Sequence, residues 1–355
     1  MPLLLTQSAT AFISTLALTV ILAKLAPKLN LVDKPGKRKT HTGDIPVIGG
    51  IAIYLSLVLG YLLWGENNSS LILENKKLSW VFMLSGGILV TIGALDDRWK
   101  LGVLIRLICE VLVAIIIIKS LDLNLLNLGA LLGDAPIILS PVAAFPLTVL
   151  AIVGLINAFN MLDGIDGLLA TLVLTILINF HIFTKISPGF VTIYIGSCLL
   201  AFLVCNMSLS AKAPRVFLGD AGSRLLGFVV VCLLLTGTSG QLGGHKVITP
   251  VTALYLSALP IFDMCFIVLR RVLRQASPFK PDRSHIHHLM QDMGFSDKKA
   301  LVIILCLGTL ISVIGLSLKT LGISEMFHFL FFVATFMAYC LFMNLAWLSV
   351  IKRQT

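Results

Sequence analysis

Charge is scarce in this sequence: Asp, Glu, Lys and Arg make up 12% of its 355 residues, about half the share in an ordinary soluble domain. Hydrophobic residues reach 57% and the mean hydropathy is +0.99, which together exclude a soluble globule. Cysteine offers no framework either. The seven cysteines (Cys109, Cys198, Cys205, Cys232, Cys265, Cys306 and Cys340) are odd in number, lie in apolar runs and form no CxxC pair. Neither a disulfide scaffold nor a zinc knuckle is therefore expected, and packing roles are. Internal repeats, heptads and low-complexity tracts are absent, and no hydrophilic stretch is long enough for a separate soluble domain, so residues 1–355 read as one transmembrane domain. Acidic residues are the rarer charge, 17 against 27 Lys and Arg. The excess base is scattered over short loops without a recognition motif or aromatic platform, which argues against nucleic acid as a partner.

What fills the sequence is long apolar runs. Eleven of them, near 3–23, 46–64, 79–95, 101–118, 141–160, 167–184, 189–208, 225–240, 249–269, 300–318 and 326–350, are candidate spans, and many exceed the roughly 18 residues that mark a membrane-crossing helix. The expected fold is all-α, a polytopic membrane protein with about eleven transmembrane helices. No Lys or Arg precedes the first run, while Lys24, Lys28, Lys34, Lys37, Arg38 and Lys39 follow it, an order that fits a retained anchor with the N-terminus outside rather than a cleaved signal. Alternating sides from there leaves only Lys76, Lys77, Lys119, Lys185, Lys246 and Lys319 facing outward and puts the C-terminus in the cytoplasm, as the positive-inside rule favours.

The acids then sort by position. Glu66, Glu74, Asp122, Asp134 and Glu325 fall in outward loops, whereas Asp96, Asp97, Asp163, Asp166 and Asp220 all lie where a span meets the cytoplasm. Carboxylates near a bilayer are costly unless paired or functional, so their convergence on one face points to a polyvalent cation or a proton path. Asp96 and Asp97, adjacent and only partly relieved by Arg98, fit a cation or cationic group, although the triplet alone equally fits a solvated loop. In the next cluster Asn157, Asn160, Asp163 and Asp166 recur every three residues, a spacing that drifts by about 60° per step on a continuous helix. They share a side only where the helix tightens or breaks, and Gly164 and Gly167 supply the break. Gly219, Asp220 and Gly222 precede the eighth run. Free N–H groups at a helix start and two glycines suit a close approach by phosphate, while Asp220 equally suits a simple N-cap. The fourth cluster joins His285, His287 and His288 to Arg283, with Arg270, Arg271 and Arg274 upstream. Its strongly cationic surroundings and lack of a thiolate partner at short spacing favour anion binding over zinc. His41, beside Lys37, Arg38 and Lys39, adds a possible phosphate-facing wall or a plain charge run.

These four motifs, in this order and each at a cytoplasmic span end, strongly resemble the polyprenyl-phosphate N-acetylhexosamine-1-phosphate transferase family, glycosyltransferase family 4, over nearly the whole chain. The 157–167 segment and the Ser277-Pro278-Phe279, Pro281-Asp282-Arg283 and HIHH runs look most like members that use UDP-GlcNAc and undecaprenyl phosphate. They look less like the peptidoglycan members that use UDP-MurNAc-pentapeptide. The resemblance implies a bacterial inner-membrane enzyme with its active site facing the cytoplasm and broken helices around it. It implies Mg²⁺ as cofactor, with Mn²⁺ as a substitute, sensitivity to tunicamycin, and a product that starts O-antigen, lipopolysaccharide or common-antigen type glycans. It further implies that Asp220 and Asn160 touch the metal, and that Asp96, Asp97, Asp163, His285, His287 and His288 serve catalysis. Asn157, Asp166, Arg98, Gly219, Gly222, Arg271, Arg283 and His41 would bind substrate, Asp166 near the uracil. Association as a homodimer is left open. Two other classes compete. A cation-coupled transporter would place its acids near mid-bilayer and in paired repeats, and a CDP-alcohol phosphatidyltransferase would gather them in one compact run; neither pattern is present.

Overall fold

A computed structural model describes residues 2–35, 43–64, 76–239, 246–278 and 283–354. Its regular structure is almost entirely helical, as expected from the composition. In chain order the elements are α1 (Pro2–Leu25), β1 (Val32–Asp33), β2 (Ile45–Pro46), α2 (Gly49–Trp64), α3 (Lys76–Trp99), α4 (Val103–Leu121), α5 (Pro141–Leu162), α6 (Leu168–Thr184), α7 (Phe190–Asn206), α8 (Gly219–Ser239), α9 (Pro250–Leu256), α10 (Ala258–Leu273), α11 (Ile286–Asp292), α12 (Asp297–Thr320) and α13 (Glu325–Gln354). Each apolar run read from the sequence lies, among the described residues, mostly in helix. Among the described residues, six helices (α1, α3, α5, α8, α12 and α13) are long and apolar enough to cross a membrane, or seven if the bent pair α9–α10 counts as one span. The helices α2, α6 and α7 are shorter, and α4 carries Arg106, Glu110 and Lys119 within its length.

Two breaks follow from local chemistry. Between α5 and α6 the chain leaves the helix at Asp163 and re-enters after Gly167, whose φ of +80° is left-handed and strains any residue with a Cβ. Between α9 and α10 the axis turns by 83°. Pro260 lies in the first turn of α10, where a missing N–H costs no helical hydrogen bond. The short antiparallel pairing of β1 with β2 is a small addition to the all-α expectation.

The residues fall into two compact units, Met1–Leu123 with Ser187–Val229, and Asn124–Ile186 with Val230–Thr355. In the first, α1 packs on α2 and α7, and α3 on α4. Glycine sets the closest approaches. A Cβ on Gly50 of α2 would overlap the backbone of Gly222 in α8, and one on Gly93 of α3 would overlap the backbone at Asp220 and Ala221. Such small-residue contacts let helix backbones touch where no hydrophobic force distinguishes helix from lipid. The segment entering α2 is further tied to the segment entering α8, because Gly49 and Gly50 N–H donate to the Phe217 and Leu218 carbonyls at 3.0 and 2.9 Å. In the second unit α12 packs on α6 and α9, and α10 on α5.

Candidate active site

In the first unit the close approach of α3 to α8 gathers Asp96, Asp97 and Asp220. The helix α3 continues to Trp99, so Asp96 and Asp97 stand on its last turns rather than in a loop after it, and Asp96 is only 2% exposed. The solvated-loop reading of that triplet does not hold. Nor does Arg98 relieve the pair: it is exposed and lies over the Trp99 ring, 4.8 Å from its centroid. The compensation comes from elsewhere. Arg106 of α4 donates to Asp96 Oδ2 at 2.8 Å and Arg224 of α8 donates to the same oxygen at 3.1 Å. Arg224, 1% exposed, also donates through Nε to Glu110 of α4 at 3.2 Å and through Nη1 to the Asp220 carbonyl at 3.3 Å. A buried guanidinium spends its fixed fork of donors in this way, on partners from three helices.

The helix α8 begins at Gly219, ahead of the apolar run that marked it, so Asp220 occupies its first turn and is not a cap preceding it. The N–H groups of Asp220 and Ala221, expected to await a phosphate, face the Asp97 carboxylate. Gly219 has a φ of +75°, and a Cβ there would stand 2.6 Å from Asp97 Oδ2. Gly222 meets Gly50 and Leu218, so its close approach is between packed segments. Asp97 Oδ2 is buried and has no hydrogen-bond partner among the described residues. A buried carboxylate oxygen without a donor costs roughly 1–3 kcal/mol or more, and a hard cation removes that cost. Asp220 keeps 30% of its side chain exposed, and its carboxylate lies 3.8 Å from Arg224. Among the described residues no three His, Cys, Asp or Glu side chains form a ready-made metal cage. This donor set fits Mg²⁺, which takes one or two carboxylates and completes its shell with water and substrate phosphates.

In the second unit the break after α5 meets the histidine helix. Asn157 and Asn160 lie on the last turns of α5, Asp163 at its C-cap and Asp166 in the connecting turn, all half-buried. The Asn157 amide donates to the Val153 carbonyl at 2.9 Å. Gly164 sits against the His287 imidazole so closely that a Cβ would overlap the ring. Two clusters far apart in sequence are thereby in contact. His285, His287 and His288 form a run of rings: His285 and His287 stack with centroids 5.6 Å apart, and His287 and His288 are 4.2 Å apart. Burial, with His288, His285 and Arg283 nearby, pushes the His287 pKa well below the usual histidine value, and burial lowers that of His288 too. This burial favours the neutral imidazole at His287 over the cation. Arg283 is exposed, 3.8 Å from Asp292, and buried Arg271 donates to the Pro278 carbonyl. His41 lies outside the described residues, as do Phe279, Lys280, Pro281 and Asp282.

Sequence reasoning passed over Glu110 and Asp263, acids embedded in apolar runs and 0% and 1% exposed, together with Arg106, Arg224 and Tyr339. An ionisable residue inside a span is itself a signal, since it persists there only with a partner or a task.

A family model described as glycosyl transferase family 4 matches residues 79–238. Three relatives share the name undecaprenyl-phosphate alpha-N-acetylglucosaminyl 1-phosphate transferase. One from Yersinia pestis is 35% identical, covering 95% of this chain and 90% of that protein. One from Escherichia coli K12 is 36% identical, covering 93% and 89%. One from Haemophilus influenzae is 33% identical, covering 95% and 93%. Identity at this level along nearly the whole of both chains, with the carboxylate-bearing ends of α3 and α8 inside the matched segment, shows that the chain belongs to glycosyl transferase family 4.

Proposed function

We propose that this protein transfers GlcNAc-1-phosphate from UDP-GlcNAc to undecaprenyl phosphate, giving undecaprenyl-diphospho-GlcNAc and UMP. The observation that carries the reading is the similarity along more than nine-tenths of the chain to transferases named for that acceptor and that sugar phosphate. The chemistry poses an electrostatic problem that the site residues suit. Two unit charges about 4 Å apart repel by roughly 4 kcal/mol at an effective dielectric near 20, and both substrates carry phosphates. Asp97 and Asp220 would hold Mg²⁺, which when bound supplies positive charge to the phosphate oxygens and orients them. Arg106 and Arg224 fix Asp96 beside them. Asp166 is assigned to the uracil and the HIHH run with Arg283 to the diphosphate and sugar, where neutral His287 contributes hydrogen bonds. In this reading the eleven apolar segments all span the bacterial inner membrane, with the N-terminus outside and the motifs at the cytoplasmic face. The product feeds O-antigen or common-antigen type glycans.

The test is UMP release by purified protein from a panel of UDP-sugars, with and without undecaprenyl phosphate. Release is expected only when UDP-GlcNAc and the lipid are both present, and tunicamycin should abolish it. Equal release from UDP-GalNAc would remove the sugar assignment, and UMP formed without lipid would contradict direct transfer.

A further inference from the structure

Asp263 lies in the apolar body of α10, where an unpartnered carboxylate is costly, and it is 1% exposed. Both of its oxygens are engaged. Oδ2 is 2.7 Å from His285 Nδ1, while Oδ1 accepts from the Ile286 backbone N–H at 2.9 Å and from the Tyr339 hydroxyl at 3.0 Å. An ionised carboxylate only accepts, so Nδ1 of His285 bears the proton between them. The Ile286 N–H is one of the donors that the start of α11 leaves without a helical partner, so one side chain both anchors the histidine helix and orients its leading ring. Tyr339, on α13, donates to the same oxygen as that N–H. The Tyr339 ring also packs on Phe262 and Phe266 of α10, but its hydroxyl, the His285 ring nitrogen and the Ile286 N–H all serve the same carboxylate.

We propose that Asp263, braced by Tyr339, is a positioning residue that locks His285 in the Nδ1–H tautomer and so leaves Nε2 as a hydrogen-bond acceptor for the hydroxyl and amide N–H groups of the nucleotide sugar. This rests on the reading that the HIHH run serves that substrate. Asparagine at 263 keeps the size but offers an N–H where the carboxylate accepted, reversing the tautomer; the same change in a serine protease triad costs about 10⁴ in turnover.

The experiment compares Asp263→Asn, Tyr339→Phe and His285→Ala in full-length purified protein, reading kcat, the KM for UDP-GlcNAc and the ¹⁵N resonances of labelled histidine. Asp263→Asn is expected to lower kcat by about a hundredfold or more, with KM within about threefold and the His285 signal moved to the Nε2–H form. Tyr339→Phe, which removes one hydroxyl and tests the idea even if Asp263→Asn does not fold, is expected to lower kcat by about fivefold with KM unchanged. A silent Asp263→Asn, or a tautomer unmoved by it, overturns the proposal, as does full kcat in Tyr339→Phe. Full turnover in His285→Ala would instead overturn the underlying reading of the histidine run, so the two failures are distinct.

Discussion

Asp97→Asn is expected to lower turnover by about a thousandfold at pH 7, a loss of about 4 kcal/mol of transition-state stabilisation. The size follows from what the carboxylate does. The second pKa of a phosphate monoester is near 6, so about nine in ten lipid phosphates are already dianions at pH 7 and gain little from a general base. The Asp97 carboxylate instead faces the start of α8 with one oxygen buried and unpartnered among the described residues, an arrangement suited to holding a cation and ordering the phosphates around it. Asparagine keeps the shape and removes the charge. Turnover measured from pH 6 to 9 should show the same deficit throughout. A deficit repaired by raising pH would restore the general-base role, and a stoichiometric burst of UMP without lipid would establish a covalent phospho-sugar enzyme.

The second large effect is on stability. Arg224→Gln should destabilise the protein by about 3–5 kcal/mol, because removing one member of a buried ion pair takes away charge that compensates the acids around it. Arg224 donates to Glu110, which is 0% exposed, and is one of two guanidiniums on Asp96. The double variant Arg224→Gln/Glu110→Gln removes the buried Glu110 charge along with Arg224 and should recover part of the loss. Asp96 keeps Arg106 in both. Thermal denaturation in detergent measures both variants. A midpoint for Arg224→Gln unchanged from the parent, or a double variant less stable than the single one, would show that the network carries no such energy.

How much of this was legible in the sequence follows from the range of the interactions. The apolar runs became helices because their signal is local, and the break between α5 and α6 was readable because Gly164 and Gly167 interrupt a spacing that no continuous helix can keep on one side. Helix ends were misplaced where charge stops a hydropathy reading before it stops a helix. Asp96, Asp97 and Arg98 continue α3 to Trp99, and α8 starts at Gly219 because its first turn is polar but paired. The compensating groups were invisible for a different reason. Arg224 is 114 residues from Glu110 and 128 from Asp96, and Asp263 is 76 from Tyr339. No spacing rule reports such pairs. The contact of Gly50 with Gly222 has no local signature either, since the glycines only make room for one another once the helices have met.

Sugar-phosphate transfer requires that the donor break at its diphosphate rather than at the sugar, and UDP-GlcNAc labelled with ³²P at the β-phosphate tells the two apart. Incubated with the purified protein, Mg²⁺ and undecaprenyl phosphate, the label should pass into the lipid fraction as the phosphate next to the sugar and leave unlabelled UMP in the water. Label retained in the water as UDP, with the sugar alone on the lipid, would contradict sugar-phosphate transfer and, with it, the roles assigned to the carboxylates and histidines.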